Sequence, residues 1–193
     1  MRAFTLLLLV IAAFAEGCAS TTVTTTGSPL TEPLCLAGTA PLSTVVYWGT
    51  EWRPDQKEPE RREAAALRGI QDFLSRTDCL AVVALHRRTA ERTQASDEEL
   101  LQSARGLSPQ PERIVAIVVR ELGPRLQIGI PVIVEGGTEV VIDMHVLDAT
   151  TSASLASTHT QWRHGGPFVI KGVSTLAHDM SAALTATLMG PSH

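Results

Sequence analysis

The sequence predicts an α/β (α+β) fold: a two-layer sandwich with a mixed sheet of about five strands, two long helices and one short helix. Two observations support this prediction. Short runs rich in β-branched and aromatic residues, which are typical of strands, alternate with helical patterns along most of the chain. These patterns fall in one stretch of domain size, and elements interleaved in this way pack as layers around a single core.

The first part of this stretch predicts a strand, a helix and a second strand. Residues 43–48 are mostly β-branched or aromatic, and residues 80–85 are all apolar, so we expect both faces of the second strand to be covered. Between them, Pro59 fits the first turn of a helix that runs to about Arg76. The apolar stripe of this helix consists of Ala66, Ile70, Phe73 and Leu74.

The middle of the chain predicts a short helix followed by a central strand. Ser96 and Glu99 have the spacing of a capping box, in which each side chain bonds a backbone N–H of the other residue. We expect the helix that they open to end near Ala104. Residues 113–122 are then predicted to form the central strand, which Gly123 interrupts.

A strand over residues 139–147 is the clearest local pattern. Its alternate side chains are apolar, which gives it one core face and one mixed, partly wet face. After a turn that Asp148 stabilises, residues 153–163 are expected to return as the partner strand. A sharp loop at residues 164–167 and a long helix over residues 168–188 complete the prediction. The predicted core-facing residues are Val140, Ile142, Met144 and Val146.

The N-terminal residues have the pattern of a secretory signal. Arg2 supplies a positive charge, and residues 6–14 are nine consecutive apolar residues. A run of this length is too short for a helix that crosses ~30 Å of hydrocarbon. We therefore predict that residues 1–17 are a signal peptide, which is removed and takes no part in the fold.

A cysteine follows this segment directly. Residues 15–18, Ala-Glu-Gly-Cys, resemble a bacterial lipobox, which implies that Cys18 becomes the acylated, palmitate-bearing first residue of a lipoprotein. Because Ala19 is not Asp, the resemblance also implies sorting to the outer membrane, with the domain facing the periplasm. The alternative is cleavage after Ala15, which releases a soluble protein that starts at Glu16.

The mature chain is predicted to have two parts. Residues 18–42 are the lipidated cysteine and a tether rich in Thr, Ser and Pro, which cannot bury enough apolar surface to order itself. Residues 43–190 are a single globular domain. The chain contains three cysteines, an odd number for an exported protein. If Cys18 carries lipid, a disulfide between Cys35 and Cys79 is predicted, and two buried free thiols are the alternative.

Composition narrows the classes of partner. The net charge is −4, and no basic block interleaved with aromatic residues occurs, so nucleic acid is not expected as a partner. The sequence contains no motif for a catalytic serine, a zinc site or a phosphate loop, and we expect no cofactor. The expected partners are the membrane, through the N-terminal lipid, and another envelope protein or peptidoglycan. The oligomeric state is left open.

The strand over residues 140–150 reads Val-Val-Ile-Asp-Met-His-Val-Leu-Asp-Ala-Thr. This stretch, together with the element order of residues 43–188, resembles a group of envelope proteins. The group includes penicillin-binding-protein activator lipoproteins, the curli-secretion lipoprotein and the N-terminal domain of the Tol-system propeller protein. Its hairpin turn usually ends in Thr-Gly, where this chain has Thr151 and Ser152. The resemblance implies an interaction module rather than an enzyme.

Polar residues of the same hairpin suggest a metal site. Asp143 and His145 share one face of their strand. If Leu147 pairs with Ala153, then His159 lies one diagonal step from Asp143, within reach of long side chains. Two histidines and one aspartate are suitable ligands for a transition metal. The alternative is a solvent-facing strand surface without a function.

A ligand-binding loop is predicted between the first strand and the first helix. It contains Trp48, Trp52, Arg53, Asp55 and Lys57. Backbone N–H groups and the positive end of the helix would lie near the arginine and both tryptophans, an environment that suits anionic or sugar ligands. The alternative is that the tryptophans pack in the core and that Arg53 pairs with Asp55.

Two functions of different classes follow from these observations. We favour a lipid-anchored envelope protein that acts as a non-enzymatic interaction module for another envelope protein or for the cell wall. The alternative is a small metal-dependent or hydrolytic periplasmic enzyme that uses Asp143, His145 and His159.

Overall fold

A computed structural model describes residues 19–31, 34, 40–89, 95–129 and 133–189. The elements in chain order are β1 (Ser20–Ser28), β2 (Leu42–Thr50), α1 (Pro59–Arg76), β3 (Leu80–Arg87), α2 (Asp97–Arg105), β4 (Arg113–Gly129), β5 (Ile133–Asp148), β6 (Ser154–Pro167) and α3 (Leu176–Leu188). The predicted α+β class with a mixed sheet is confirmed, with six strands in place of about five. Over the described ranges, no helix has the length and apolar character needed to cross a membrane.

The six strands form one sheet in the order β1-β6-β5-β4-β2-β3. Strand β2 runs parallel to both β3 and β4, whereas β4, β5, β6 and β1 pair antiparallel in succession. The sheet is therefore mixed, and its two edges are β1 and β3.

The two long helices pack on one face of the sheet. Helices α1 and α3 bury their apolar stripes against alternate residues of β2, β4, β5 and β6, and this main core contains most of the buried side chains. The predicted core face of β5 is confirmed, since all four of its apolar residues are buried. Representative members of the main core are Ile70, Phe73, Ile117, Ile142, Met144, Met180 and Leu184.

The short helix lies on the opposite face, which differs from a strict two-layer arrangement. Helix α2 packs Leu100, Leu101 and Ala104 over a second, smaller core that includes Tyr47 and Ile114. Its start is the predicted capping box. The Ser96 hydroxyl accepts a bond from the Glu99 N–H at 3.3 Å, and the Glu99 carboxylate accepts one from the Ser96 N–H at 3.2 Å.

The prediction of an unordered tether over residues 18–42 is wrong for Ser20–Ser28, which form strand β1 along β6. Residues 21–26 are all threonine or valine, whose β-branched side chains favour extended backbone, and β6 offers an edge with which this segment pairs. Leu34 is also buried in the main core. The folded unit thus begins before residue 43. Residues 1–18 lie outside the described part, so the signal peptide and the acylation of Cys18 stay predictions.

Three other features differ from the predictions made from the sequence. The prediction that both faces of β3 are covered is wrong: only its first residue is buried, and the strand lies at the edge of the sheet. Strand β4 continues through Gly123 to Gly129, since β5 pairs with it along its whole length. Helix α3 starts at Leu176 rather than near residue 168, because the backbone is extended at Gly172 and turns into the helix only after it.

The predicted turn after β5 is confirmed. One oxygen of the Asp148 carboxylate accepts bonds from the backbone N–H groups of Thr150 at 2.9 Å and Thr151 at 2.8 Å. The other oxygen lies 2.6 Å from a guanidinium nitrogen of Arg113. The N–H bond from Thr151, more than the other contacts, holds the pKa of Asp148 below its usual value of 3.8. Ser152 takes the left-handed conformation (φ 61°) that glycine adopts most easily.

Of the two cysteines in the predicted disulfide, only Cys79 is among the described residues. Cys79 is half-buried at the turn before β3, where it packs against the main core. Cys35 lies outside the described residues, so the Cys35–Cys79 bond stays a prediction.

Helices α1 and α3 cross closely at Gly69, and this contact is testable. A Cβ at Gly69 would lie 2.5 Å from the Ala177 carbonyl oxygen and 2.5 Å from the Met180 Cβ. We expect Gly69→Ala to lower the free energy of unfolding by about 1–3 kcal/mol, because the helices must separate. Chemical denaturation measures this change.

The matched control is Gly106→Ala at the end of α2, where the nearest atom to an added Cβ is the Ser103 carbonyl oxygen at 3.7 Å. We expect this control to stay within about 0.5 kcal/mol of the unsubstituted protein. Equal stability of both variants would contradict the close crossing of α1 and α3.

Candidate functional site

The sheet face opposite α1 and α3 carries a band of charged side chains. We call this band the open face and define it by Arg120, Glu121, Glu139, Asp143 and His159. In the described part of the chain, α2 is the helix that packs on this side, and it does so over the second core. The charged band lies beyond that core, along β4, β5 and β6.

Strand alternation and one bulge place these side chains together. On β5, even-numbered residues face the main core, so Glu139 and Asp143 face the other way. Across the sheet, Asp143 lies opposite His159. On β4 the register shifts between Val119 and Glu121, and this bulge leaves both Arg120 and Glu121 in the wall of one groove.

A chain of ionic contacts crosses the open face at Arg120. Its guanidinium lies 3.0 Å from a carboxylate oxygen of Glu51 and donates a hydrogen bond to Asp143 through Nε. The second oxygen of Asp143 lies 2.5 Å from Nδ1 of His159. The hydrogen bond to Asp143 raises the pKa of Arg120 above its usual value, although partial burial acts against this.

Two further carboxylates lie between cations. Glu121 is 3.0 Å from the guanidinium of Arg53 and 3.4 Å from that of Arg62. Glu139 accepts a bond from Nε of Arg163 at 3.0 Å and another from the Gln161 amide. Each acidic group of the open face is therefore already held by an arginine.

Two grooves lie along this face. The first, with a volume of about 670 Å³, is bordered by Trp52, Arg53 and the charged residues of β4. The second, of about 590 Å³, lies between α2 and β6 and includes Asp143 and His159. Arg120 belongs to the walls of both grooves, so the two form one continuous polar surface.

The predicted ligand-binding loop contributes two of its five residues to this surface. Trp52 and Arg53 border the first groove, and the indole N–H of Trp52 is buried with no hydrogen-bond acceptor among the described residues. Trp48 is 2% exposed and belongs to the main core, because it lies on the helix-facing side of β2. Asp55 and Lys57 are exposed on the loop, with Asp55 4.0 Å from Arg53.

The predicted metal site is assembled only in part. Asp143 and His159 are in direct contact, whereas the ring of His145 points to Asp97 at 3.1 Å and to Ser154 at 3.0 Å. No group of three His, Cys, Asp or Glu side chains suited to a metal ion occurs within the described ranges. The three residues therefore do not converge as the ligand set that the sequence suggested.

The register explains this difference. Leu147 pairs with Ser154 rather than with Ala153, which moves the pairing by one residue, and a bulge between Val146 and Leu147 moves it by one more. The shift moves His159 from the diagonal position to the position directly opposite Asp143. A bulge of this kind leaves no signal in the alternation of apolar residues.

The prediction of a sharp loop at residues 164–167 is wrong, since these residues belong to strand β6, which runs to Pro167. A Cβ at Gly165 would lie 2.6 Å from the Gly137 Cα, so glycine is needed where β5 and β6 approach each other. His164 stacks on Trp162 with ring centres 5.8 Å apart, and its Nδ1 lies 2.8 Å from the Thr21 hydroxyl. Burial, and then the nearby charge of Lys171, lower the pKa of His164 below 6.5.

This depressed pKa predicts a pH dependence of stability. Below pH 6.5 the unfolded chain takes up a proton at His164 before the folded chain does, so acidification favours unfolding. Above that pH the residue is neutral in both states and has no effect. We expect His164→Gln to lose less stability than the unsubstituted protein between about pH 7.5 and about pH 5.

Thermal unfolding at both pH values measures the difference in slope. His86→Gln serves as the control, because this histidine stacks on Tyr47 on another strand. An unchanged slope in His164→Gln would show that its ring is not held in the neutral form.

Sequence reasoning missed most of the charged band. Arg120, Glu121 and Glu139 are isolated along the chain, and only the register of the sheet brings them together. The alternation of β5 places Glu139 on the same face as Asp143, which is a signal that was available. Arg120 lies at a bulge and has no such signal.

No protein-family model and no curated protein matches the chain. Among solved structures, it is similar to a PelC dodecamer from Paraburkholderia phytofirmans, with 16% identity and a TM-score of 0.48 over 89% of this chain and 100% of that one.

It is also similar to the lipoprotein GNA1162 from Neisseria meningitidis, with 16% identity and a TM-score of 0.36 over 75% of this chain and 96% of that one. A neuraminyllactose-binding hemagglutinin homologue from Helicobacter pylori gives 9% identity and a TM-score of 0.36 over 82% and 86% of the two chains. These TM-scores lie below 0.5, and no conclusion about this chain is drawn from them. The narrower resemblance to penicillin-binding-protein activators, the curli lipoprotein and the Tol propeller protein stays a prediction.

Proposed function

We propose that this chain is a lipid-anchored protein of the bacterial envelope whose open face binds another envelope protein or the cell-wall polymer without catalysing a reaction. Cys18 carries the acyl chains, in the outer membrane, and the domain faces the periplasm. The lipobox supports the anchor, and the open face supports the binding role.

The observation that carries the binding role is the paired charge on the open face. Asp143, Glu121 and Glu139 are each held by an arginine, which fixes the side chains on both sides of every pair. A surface whose rotamers are already fixed loses less conformational entropy when it binds. Peptides and cell-wall polymers carry amines, carboxylates and hydroxyls, which complement a surface with charges of both signs.

The groove beside Trp52 adds an apolar element to this surface. Its ring borders the groove together with Arg53, and its buried N–H has no acceptor among the described residues. A ligand in the groove can pack on the part of the ring that borders it. Tryptophan and arginine are also the residue types that contribute most often to binding energy at interfaces.

The anchor is tested by the intact mass of the protein recovered from membranes. We expect a chain that starts at Cys18 and carries acyl groups, because the lipobox directs both modification and cleavage. The same spectrum without reduction tests the Cys35–Cys79 bond, which makes the chain lighter by two hydrogens. A protein that starts at Glu16 and stays in the aqueous extract would contradict the anchor.

The binding role is tested by substitutions on the open face. Arg53 is 66% exposed and His159 is 51% exposed at their side chains, so both can change without disturbing the core. We expect Arg53→Ala with His159→Ala to lower, several-fold, the yield of an envelope protein cross-linked in cells or the amount bound to purified sacculi.

Arg61→Ala is the matched control. Arg61 is 71% exposed and pairs with Glu58 at 2.7 Å, as Arg53 pairs with Glu121, but it lies on α1. The control is expected to bind like the unsubstituted protein. If both variants bind equally well, the open face is not the binding surface.

A further inference from the structure

Among the described residues, the large apolar side chains with the highest exposure are concentrated at one end of the domain. Leu126 on β4 is 62% exposed, and Phe168 and Ile170 in the loop after β6 are 75% and 88% exposed. We call these three residues the apolar end. Exposed apolar groups of this size, when clustered, are typical of surfaces that contact a partner or a membrane.

Strand pairing brings the three residues to the same end of the sheet. Leu126 lies opposite Gly136 on β5, and Gly136 in turn lies opposite Gly166 on β6. Just beyond this row, the Phe168 N–H donates a bond to the Val134 carbonyl at 2.8 Å. The loop after β6 is therefore fastened to β5 next to the position of Leu126.

A buried ion pair holds this loop in place. Nζ of Lys171 lies 2.7 Å from a carboxylate oxygen of Asp179, which is 1% exposed on α3. The hydroxyl groups of Thr138 and Thr175 donate to the same carboxylate at 2.6 Å and 3.0 Å. These contacts hold the side chain of Lys171 against α3, whereas the side chain of the neighbouring Ile170 lies in solvent.

Phe168 is also held in an uncommon backbone conformation. Its φ is 60°, in the left-handed region that a bulky residue rarely adopts. Such a conformation persists only where surrounding contacts impose it, and it is often found at functional sites. Here it accompanies an aromatic ring that is directed into solvent rather than into the core.

The chain enters the domain at this same end. Strand β1 runs antiparallel to β6 with Ser20 opposite Gly165, so β1 traced backwards leads towards Pro167 and Phe168. Cys18 is two residues before Ser20 in the chain, and Phe168 is three residues beyond Gly165. At ~3.3 Å per residue of strand, the segment from Ser20 to Cys18 and the segment from Gly165 to Phe168 each span roughly 10 Å or less. The chain between Ser20 and Cys18 is therefore too short to carry an acyl group on Cys18 far from this end.

We propose that the apolar end inserts into the interfacial region of the lipid bilayer and fixes the orientation of the domain on the membrane. This inference rests on the proposed acylation of Cys18, which brings the protein to the membrane. The acyl chains hold the protein at the bilayer, and Leu126, Phe168 and Ile170 enter the boundary between headgroups and hydrocarbon. Strands β4, β5 and β6 then lead away from the membrane, and the open face is roughly perpendicular to the membrane plane.

The contact is apolar rather than electrostatic. Lys171 and Arg163 are paired with Asp179 and Glu139, and Glu135 beside the loop is an exposed anion. These charges do not favour anionic lipid, so neutral phosphatidylcholine is a sufficient partner. Attachment of the apolar end should accordingly change little when salt is raised above physiological ionic strength.

The test places a tryptophan at the apolar end of the full chain. Phe168→Trp protein recovered from membranes is reconstituted into phosphatidylcholine vesicles with brominated acyl chains, which quench tryptophan at the depth of the bromine. Met189→Trp is the control, because Met189 is 42% exposed at the far end of α3. That end lies about 20 Å from the start of the helix. The unsubstituted protein supplies the background from Trp48, Trp52 and Trp162.

We expect quenching several-fold stronger for the tryptophan introduced at position 168 than for the one at position 189. Equal or absent quenching at position 168 in an acylated, membrane-bound chain overturns the inference and leaves the anchor intact. If the chain carries no acyl group, the proposed anchor fails, and the same variants are then mixed with vesicles. Quenching at position 168 alone still supports insertion of the apolar end, and its absence overturns it.

Discussion

The pairing of β1 with β6 is the constraint on which the arrangement of this protein depends. It adds Ser20–Ser28 to the sheet, although every side chain of the strand is exposed, so backbone hydrogen bonds rather than burial hold it. A few side chains assist, such as the Thr25 hydroxyl at 3.2 Å from that of Thr160. Through this pairing the chain enters the domain at the apolar end, and β6 is no longer an edge strand.

Two bulges give the open face its chemistry. The register shift after Val119 brings Arg120 and Glu121 to one groove, and the shift before Leu147 sets His159 directly opposite Asp143. The main core, meanwhile, is continuous and fills the other face of the sheet. One face thus supplies stability, while the other holds its charges in pairs along two grooves.

The sequence was informative wherever periodicity and burial agree. The stripe of α1, the Ser96 capping box, the alternation of β5 and the turn at Asp148 are all local patterns, and the structure contains each of them. It was uninformative where distant residues set the outcome. A polar run such as residues 21–26 forms a strand only because β6 offers a free edge, and the contact between Arg120 and Asp143 depends on a bulge. Trp48 and Trp52 illustrate the same limit, since Trp48 lies on β2 and is buried in the main core, whereas Trp52 lies in the loop after β2 and borders a groove.

The central claim, that the N-terminal residues belong to the sheet, is tested most directly by amide hydrogen exchange. If β1 pairs with β6, the amides of Ser20–Ser28 that face β6 exchange more slowly than those of an unstructured chain, and the paired amides of β6 are protected as well. If every amide from 20 to 28 exchanged at the rate of an unstructured chain, the pairing of β1 with β6 would be contradicted, and this segment would be a tether. It would also separate the membrane anchor from the apolar end.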